Sequence, residues 1–160
     1  MPAEPDILII ASSETDSNLY YATRFPAPDT FIFLRVKGEK ILLMSDLEVD
    51  RARATATVDT VLSYSEYEER VNRRGVTTSK LMDVVDEVLK EKGVTQLLVP
   101  QTFGFEHARQ LQARGYELLS DEHFTVDGTL LEAAASLKSF KAKDQQDEPP
   151  ADDPGNPTVN

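Results

Sequence analysis

Two histidines, His107 and His123, are the only imidazoles in the 160 residues, and there is no cysteine. Thiolate zinc sites, thiol nucleophiles and disulfides are therefore excluded. A metal centre needs several His, Asp or Glu side chains aimed at one point, and a zinc-protease helix carries two histidines four residues apart. His107 lies beside Glu106 on an expected helix, and His123 sits in Asp121-Glu122-His123, read as a loop or strand edge. Each reads as a surface or half-buried histidine rather than a ligand or base. Asp46, Glu48 and Asp50 are close in sequence, but helical spacing spreads them around a capped first turn. Ser12, Ser13 and Ser17 follow an apolar strand, where α/β folds place ligands. No Gly-x-Ser-x-Gly elbow surrounds them, and turn and cap chemistry is their plainer use. The seven glycines form neither a Gly-x-Gly-x-x-Gly nor a Walker pattern. The residues by themselves assemble no catalytic constellation, and the expected cofactor is none.

The elements that would position these side chains alternate between strand and helix. Ile7 to Ala11 is a short apolar run, the mark of a strand buried on both faces. Ser17 to Thr23 reads as a short helix closed by Pro26 and Pro28. Thr30 to Val36 and Lys40 to Met44 flank Gly38-Glu39, and glycine first in a two-residue loop predicts a type II′ hairpin. Ser45-Asp46-Leu47-Glu48 and Ser65-Glu66-Tyr67-Glu68 match the capping box, and strand Val58 to Ser63 separates the helices they open. Glu66/Arg70 and Glu69/Arg73 stand at the i,i+4 spacing of an exposed helix face. Ser79 to Lys92 is the clearest helix, with Leu81, Val85, Val88 and Leu89 on one face and Gly93 as the stop. Gln96 to Val99 follows as a strand. Phe105, Ala108 and Leu111 mark a helix ended at Gly115, Tyr116 to Leu119 a strand, and Leu130 to Leu137 the last helix. The pattern is α/β, and the hairpin makes the sheet mixed.

Composition limits the function classes. The net charge is −11, with 28 acids against 17 bases, so a nucleic-acid role is not expected. No apolar run approaches the roughly 18 to 20 residues that span a bilayer. The acidic, proline-broken start lacks the basic and apolar regions of a secretory signal, and a cytoplasmic location is the expectation. From Lys141 onward the chain holds four of its nine prolines, and between Asp144 and Asn160 it carries five acids and no base. That segment, 141–160, reads as a disordered tail with too little apolar surface to offset its ordering entropy. Its functional alternative is an acidic interaction tail.

Ser17-Asn18-Leu19-Tyr20-Tyr21-Ala22-Thr23-Arg24-Phe25 resembles the Asn-x-x-Tyr-Leu-Thr-Gly-Phe signature near the start of Xaa-Pro aminopeptidases, prolidases and creatinases. The order around it is similar too. A strand precedes it, a hairpin ending in Ser45-Asp46 follows, and Gln96-Leu97-Leu98-Val99-Pro100 and Gly115-Tyr116-Glu117 resemble the second half of that family's amino-terminal domain. The resemblance covers residues 5 to 140, and Arg24 stands where the signature has glycine. It implies a three-layer α/β domain over 1–140 with a mixed sheet flanked by helices, ribonuclease H-like. In full-length relatives a pita-bread domain follows and binds two divalent metal ions through two Asp, one His and two Glu. Leu137-Lys138-Ser139-Phe140 resembles the step into that domain, and beyond it none of those ligands has a counterpart in this chain.

The resemblance therefore implies a non-catalytic domain acting in dimerisation or in shaping access to a peptidase active site. Its partners would be a second copy or a related full-length peptidase. The alternatives are a fragment of a truncated or frame-shifted Xaa-Pro metallopeptidase, and a small-ligand binding domain using loops near Ser12, Ser13 and Asn18. The candidate interface is Asn18, Tyr20, Tyr21, Arg24, Phe25 and Phe31, an aromatic-rich stretch of the kind that anchors interfaces. Its plainer reading puts Tyr20 and Phe31 in the core.

Overall fold

Short apolar runs become strands here because both faces of the sheet are covered by helices, so alternation between polar and apolar residues is unnecessary. A computed structural model describes residues 4–121 and 138–139. In chain order the elements are β1 (Ile7–Ala11), α1 (Ser17–Thr23), β2 (Phe31–Val36), β3 (Glu39–Met44), α2 (Asp46–Thr55) and β4 (Thr60–Ser63). They continue with α3 (Tyr64–Arg73), α4 (Leu81–Lys92), β5 (Gln96–Pro100), α5 (Phe105–Ala113), β6 (Glu117–Asp121) and β7 (Lys138–Ser139). The strands order as β4-β3-β2-β1-β5-β6-β7. β2 is antiparallel to β1 and β3, β7 is antiparallel to β6, and the remaining pairs are parallel. The carboxyl ends of β1, β3, β4, β5 and β6 therefore share one edge of the sheet.

Each strand splits its side chains between two cores. Leu8, Ile32, Leu34, Leu43 and Val99 meet α3, α4 and α5 through Tyr67, Val85, Val88, Leu89 and Leu111. Ile9, Phe33, Leu42 and Leu98 meet α1 and α2 through Leu19, Ala22, Val49 and Ala52. This is the three-layer α/β unit with a mixed sheet that the sequence implies. Buried tyrosines add polar ties on the first side. Tyr67 donates to the Glu91 carboxylate, and Tyr116 donates to Asp86 at 2.6 Å. Burial, then the bond to Glu91, pushes the Tyr67 phenol up to about 12.

Local chemistry differs from expectation at several points. The hairpin loop is Lys37-Gly38, with φ of 50° and 85°, and Val36 pairs with Glu39. Positive φ at both loop residues makes the turn type I′ rather than II′. A loop one residue later would slide the pairing by two, setting Ile41 opposite Val36 instead of Leu34 on the same face. Ser45 starts α2 without a side-chain cap, and the Glu48 carboxylate accepts from Arg51. α3 is capped by Ser63, which accepts from the Glu66 amide at 3.4 Å, so the cap lies two residues before Ser65. Glu69–Arg73 forms at 2.6 Å, while Arg70 leaves Glu66 for Glu91 on α4. Phe105, expected on the packed face of α5, is 60% exposed in its first turn. The helix expected over 130–137 and the tail 141–160 lie outside the described residues.

Candidate interaction surface

α1 owes its start to Asp16, whose carboxylate accepts from the Leu19 amide at 2.9 Å. It stops at Arg24, which takes a left-handed conformation (φ 52°, ψ 25°) and donates its amide to the Tyr20 carbonyl at 2.7 Å. That geometry is the one for which the resembling signature carries glycine. Leu19, Ala22 and Thr23 are buried, and Ser17, Tyr20, Tyr21 and Arg24 form the outward stripe at i, i+3, i+4 and i+7. Tyr20 is 41% and Tyr21 53% exposed, and the Arg24 guanidinium lies 4.9 Å from the Tyr21 ring centre. Tyr20 is thus on the surface, not in the core. Asn18 is half-buried at the margin of the stripe.

The other two candidate interface residues are not on the surface. Phe25 and Phe31 are buried and meet edge to face at 5.9 Å. They face the sheet because the chain after α1 runs back across it in extended form to reach β2, and an extended chain with Pro26 and Pro28 outward sends Phe25 and Ala27 inward. Arg51 of α2 lies over the Phe25 ring at 4.1 Å and donates to the Pro26 carbonyl at 2.9 Å. Buried Thr23 accepts from the Phe25 amide, and its carbonyl takes the Thr57 amide.

The serines after β1 serve the same return segment. Ser12 donates to the Ala27 carbonyl at 3.0 Å, and Ser13 accepts the Ala27 amide at 2.8 Å. Both are buried, so the hydroxyls that would serve a small ligand are engaged in holding the chain. His107 packs beside Phe103 at 6.0 Å, and a Cβ at Gly104 would come within 3.1 Å of its ring. His123 lies outside the described residues. Among the described residues no group of three or more His, Asp or Glu is placed to hold a metal ion.

Two features escaped sequence reading. Asp46 accepts from Ser63 and Ser65, each at 2.7 Å, joining the start of α2 to the β4–α3 junction. The hydroxyl of Ser63, then that of Ser65, holds the Asp46 carboxyl below its ordinary value. The second is Leu47, 94% exposed beside it. A Ser-x-Ser preceding a helix and an Asp at another helix start are common enough that nothing in the sequence pairs them. Leu47 read as part of a capping box, which says nothing of exposure.

The creatinase/prolidase N-terminal domain family matches residues 3–133. Among solved structures, an XXA-pro aminopeptidase from Streptococcus pyogenes is 18% identical with a TM-score of 0.52, covering 72% of this chain and 77% of that one. An X-Pro aminopeptidase from Thermotoga maritima MSB8 is 10% identical with a TM-score of 0.54, and 30% of its length is covered. A prolidase from Pyrococcus furiosus is 13% identical with a TM-score of 0.51, and 28% of its length is covered. This chain therefore spans under a third of the last two. No curated protein sequence matches it. The structural likeness carries the fold, and the family match, which takes in well over half of the chain, carries the identity. The chain belongs to the creatinase/prolidase N-terminal domain family.

Proposed function

We propose that this chain is a non-catalytic domain of the Xaa-Pro peptidase type, extending over 1–140 with 141–160 as a tail. It works by protein contact, in dimerisation or in shaping access to a peptidase active site, with a second copy or a related full-length peptidase as partner. One observation supports this reading above the rest: α1 packs one face completely and turns two tyrosines and an arginine outward together. Tyr and Arg dominate the energetics of protein interfaces, and both rings are held on a short, capped helix. No helix among the described residues is long and apolar enough to cross a membrane. A cytoplasmic setting belongs to the same proposal, on the cysteine-free composition.

A second reading is favoured by the coverage. The chain spans 30% and 28% of two relatives, so it also fits the leading part of a longer Xaa-Pro peptidase whose chemistry lies elsewhere. Both readings assign no chemistry to these residues. The test is twofold. Light scattering over a range of concentrations, alone and with a related full-length Xaa-Pro peptidase, is expected to reveal association. Incubation with Xaa-Pro peptides and manganese, cobalt or zinc is expected to release no amino-terminal residue. Metal-dependent release that survives repurification contradicts the non-catalytic reading, and the absence of any association contradicts the contact reading.

A further inference from the structure

A cleft of about 570 Å³ lies under the amino end of β1, at the edge of the sheet opposite to Ser12 and Ser13. Glu4 and Asp6 lead into β1 along it, Lys37 and Gly38 form the hairpin tip on one flank, and Gly93 and Gln96 bracket the turn from α4 into β5 on the other. Its volume falls within the about 300 to 1,000 Å³ of small-molecule sites. We propose that this cleft binds a small zwitterion, a free amino acid or short peptide carrying both an ammonium and a carboxylate. The site shares no residue with the outward stripe of α1 and goes beyond the contact reading.

The charges select that class. Glu4 pairs with Arg35 at 3.3 Å, and the Arg35 side chain is buried, so the charge of Glu4 is balanced within the fold. Asp6 accepts the Lys37 amide at 2.9 Å, which fixes its carboxylate, but it enters no ion pair among the described residues. The Lys37 ammonium enters none either. The cleft thus keeps one carboxylate and one ammonium that no neighbouring charge balances. A ligand of single charge meets one and repels the other, whereas a zwitterion meets both. The carboxyl end of α4, closed at Gly93, adds partial negative charge on the flank away from Lys37 and favours the ligand's ammonium there. Glycine leaves the room: a Cβ on Gly38 or Gly93 would meet nothing within 4 Å.

Amide spectra of the isotope-labelled full chain, titrated with alanyl-alanine and in parallel with alanine, test this. The Lys37, Gly38, Gly93, Thr95 and Gln96 amides are expected to shift and to saturate, and the tighter of the two probes separates a peptide site from an amino-acid site. The acetylated dipeptide lacks the ammonium and the dipeptide amide lacks the carboxylate, and each is expected to bind at least about tenfold more weakly. Asp6→Asn keeps the acceptor for the Lys37 amide and loses the charge, so it is expected to bind the free and acetylated dipeptides alike. Lys37→Asn suits the left-handed backbone at that position and is expected to bind the dipeptide and its amide alike. Gly93→Asn keeps the left-handed cap, sets a side chain in the cleft and is expected to abolish the shifts at an unchanged melting temperature. Shifts that never saturate, or blocked probes that bind as well as the free ones, overturn the proposal. Saturable binding unchanged in Asp6→Asn and Lys37→Asn overturns its place in this cleft, and these two variants decide the matter if Gly93→Asn fails to fold.

Discussion

The Arg51 guanidinium covers the Phe25 ring at 4.1 Å while donating to the Pro26 carbonyl at 2.9 Å. One side chain of α2 thereby clamps the extended return segment between the two helices of its layer. It also pairs with Glu48 at 2.6 Å, which fixes the guanidinium plane.

Arg51→Ala is expected to lower stability by about 1 to 2 kcal/mol, combining a partly exposed cation–π contact with a hydrogen bond. Arg51→Lys is expected to recover less than half of that, because an ammonium cannot stack and bond in the same plane. Urea unfolding midpoints of the three chains check both expectations.

Phe25 and Tyr21 stand four residues apart in one aromatic stretch but belong to different parts of the molecule. Phe25→Ala is expected to cost about 3 to 5 kcal/mol, as for other fully buried aromatics. Tyr21→Ser is expected to stay within about 0.5 kcal/mol, the range of ordinary surface changes. Thermal melts of the two variants decide whether the boundary between core and surface lies between them.

That boundary shows what could be read without coordinates. The strand and helix order was legible because long periodic segments such as 81–92 and short apolar runs such as 7–11 carry their own signal. The burial of Phe25 was not legible, since it depends on Arg51, Ser13 and Thr23 holding an extended chain across the sheet from three other elements. Tyr20 reads as apolar enough for the core, yet the helix phase set by the Asp16 cap turns it outward. The hairpin loop is one residue off in the sequence because glycine suits either position. Both registers put Ile41 and Leu43 on the same face, so only the pairing of Ile41 with Leu34 rather than Val36 separates them.

Lys37 holds φ at 50° in the first position of that type I′ turn, where a long L side chain is strained. Lys37→Asn is expected to raise stability by about 0.5 to 1 kcal/mol, since Asn accepts the left-handed region and Asn-Gly suits this turn. Lys37→Val is expected to lower it. Denaturant unfolding of both variants is the check, and a loss with Asn would contradict the turn assignment.

Asp46 supplies a pH dependence of known sign. Two serine hydroxyls donate to its ionised form, so its pKa in the folded chain lies below the ordinary carboxylate value. Its contribution is present above the unfolded-state pKa and is lost as pH falls through the depressed folded value. The stability difference between the native chain and Asp46→Asn is therefore expected to be constant near neutrality and to shrink in acid. Urea midpoints measured from pH 7 downward test this, and a difference independent of pH would contradict it.

The outward stripe of α1 is tested most directly by sedimentation velocity of the native chain beside a Tyr20→Ser/Tyr21→Ser variant. Both side chains leave the core untouched, so the variant is expected to keep the native melting temperature within a few degrees. Its association with itself, or with a related full-length Xaa-Pro peptidase, is expected to weaken at least about tenfold, which corresponds to about 1.4 kcal/mol. Association unchanged with the fold intact would contradict the claim, and so would a variant that unfolds, because the rings would then belong to the core.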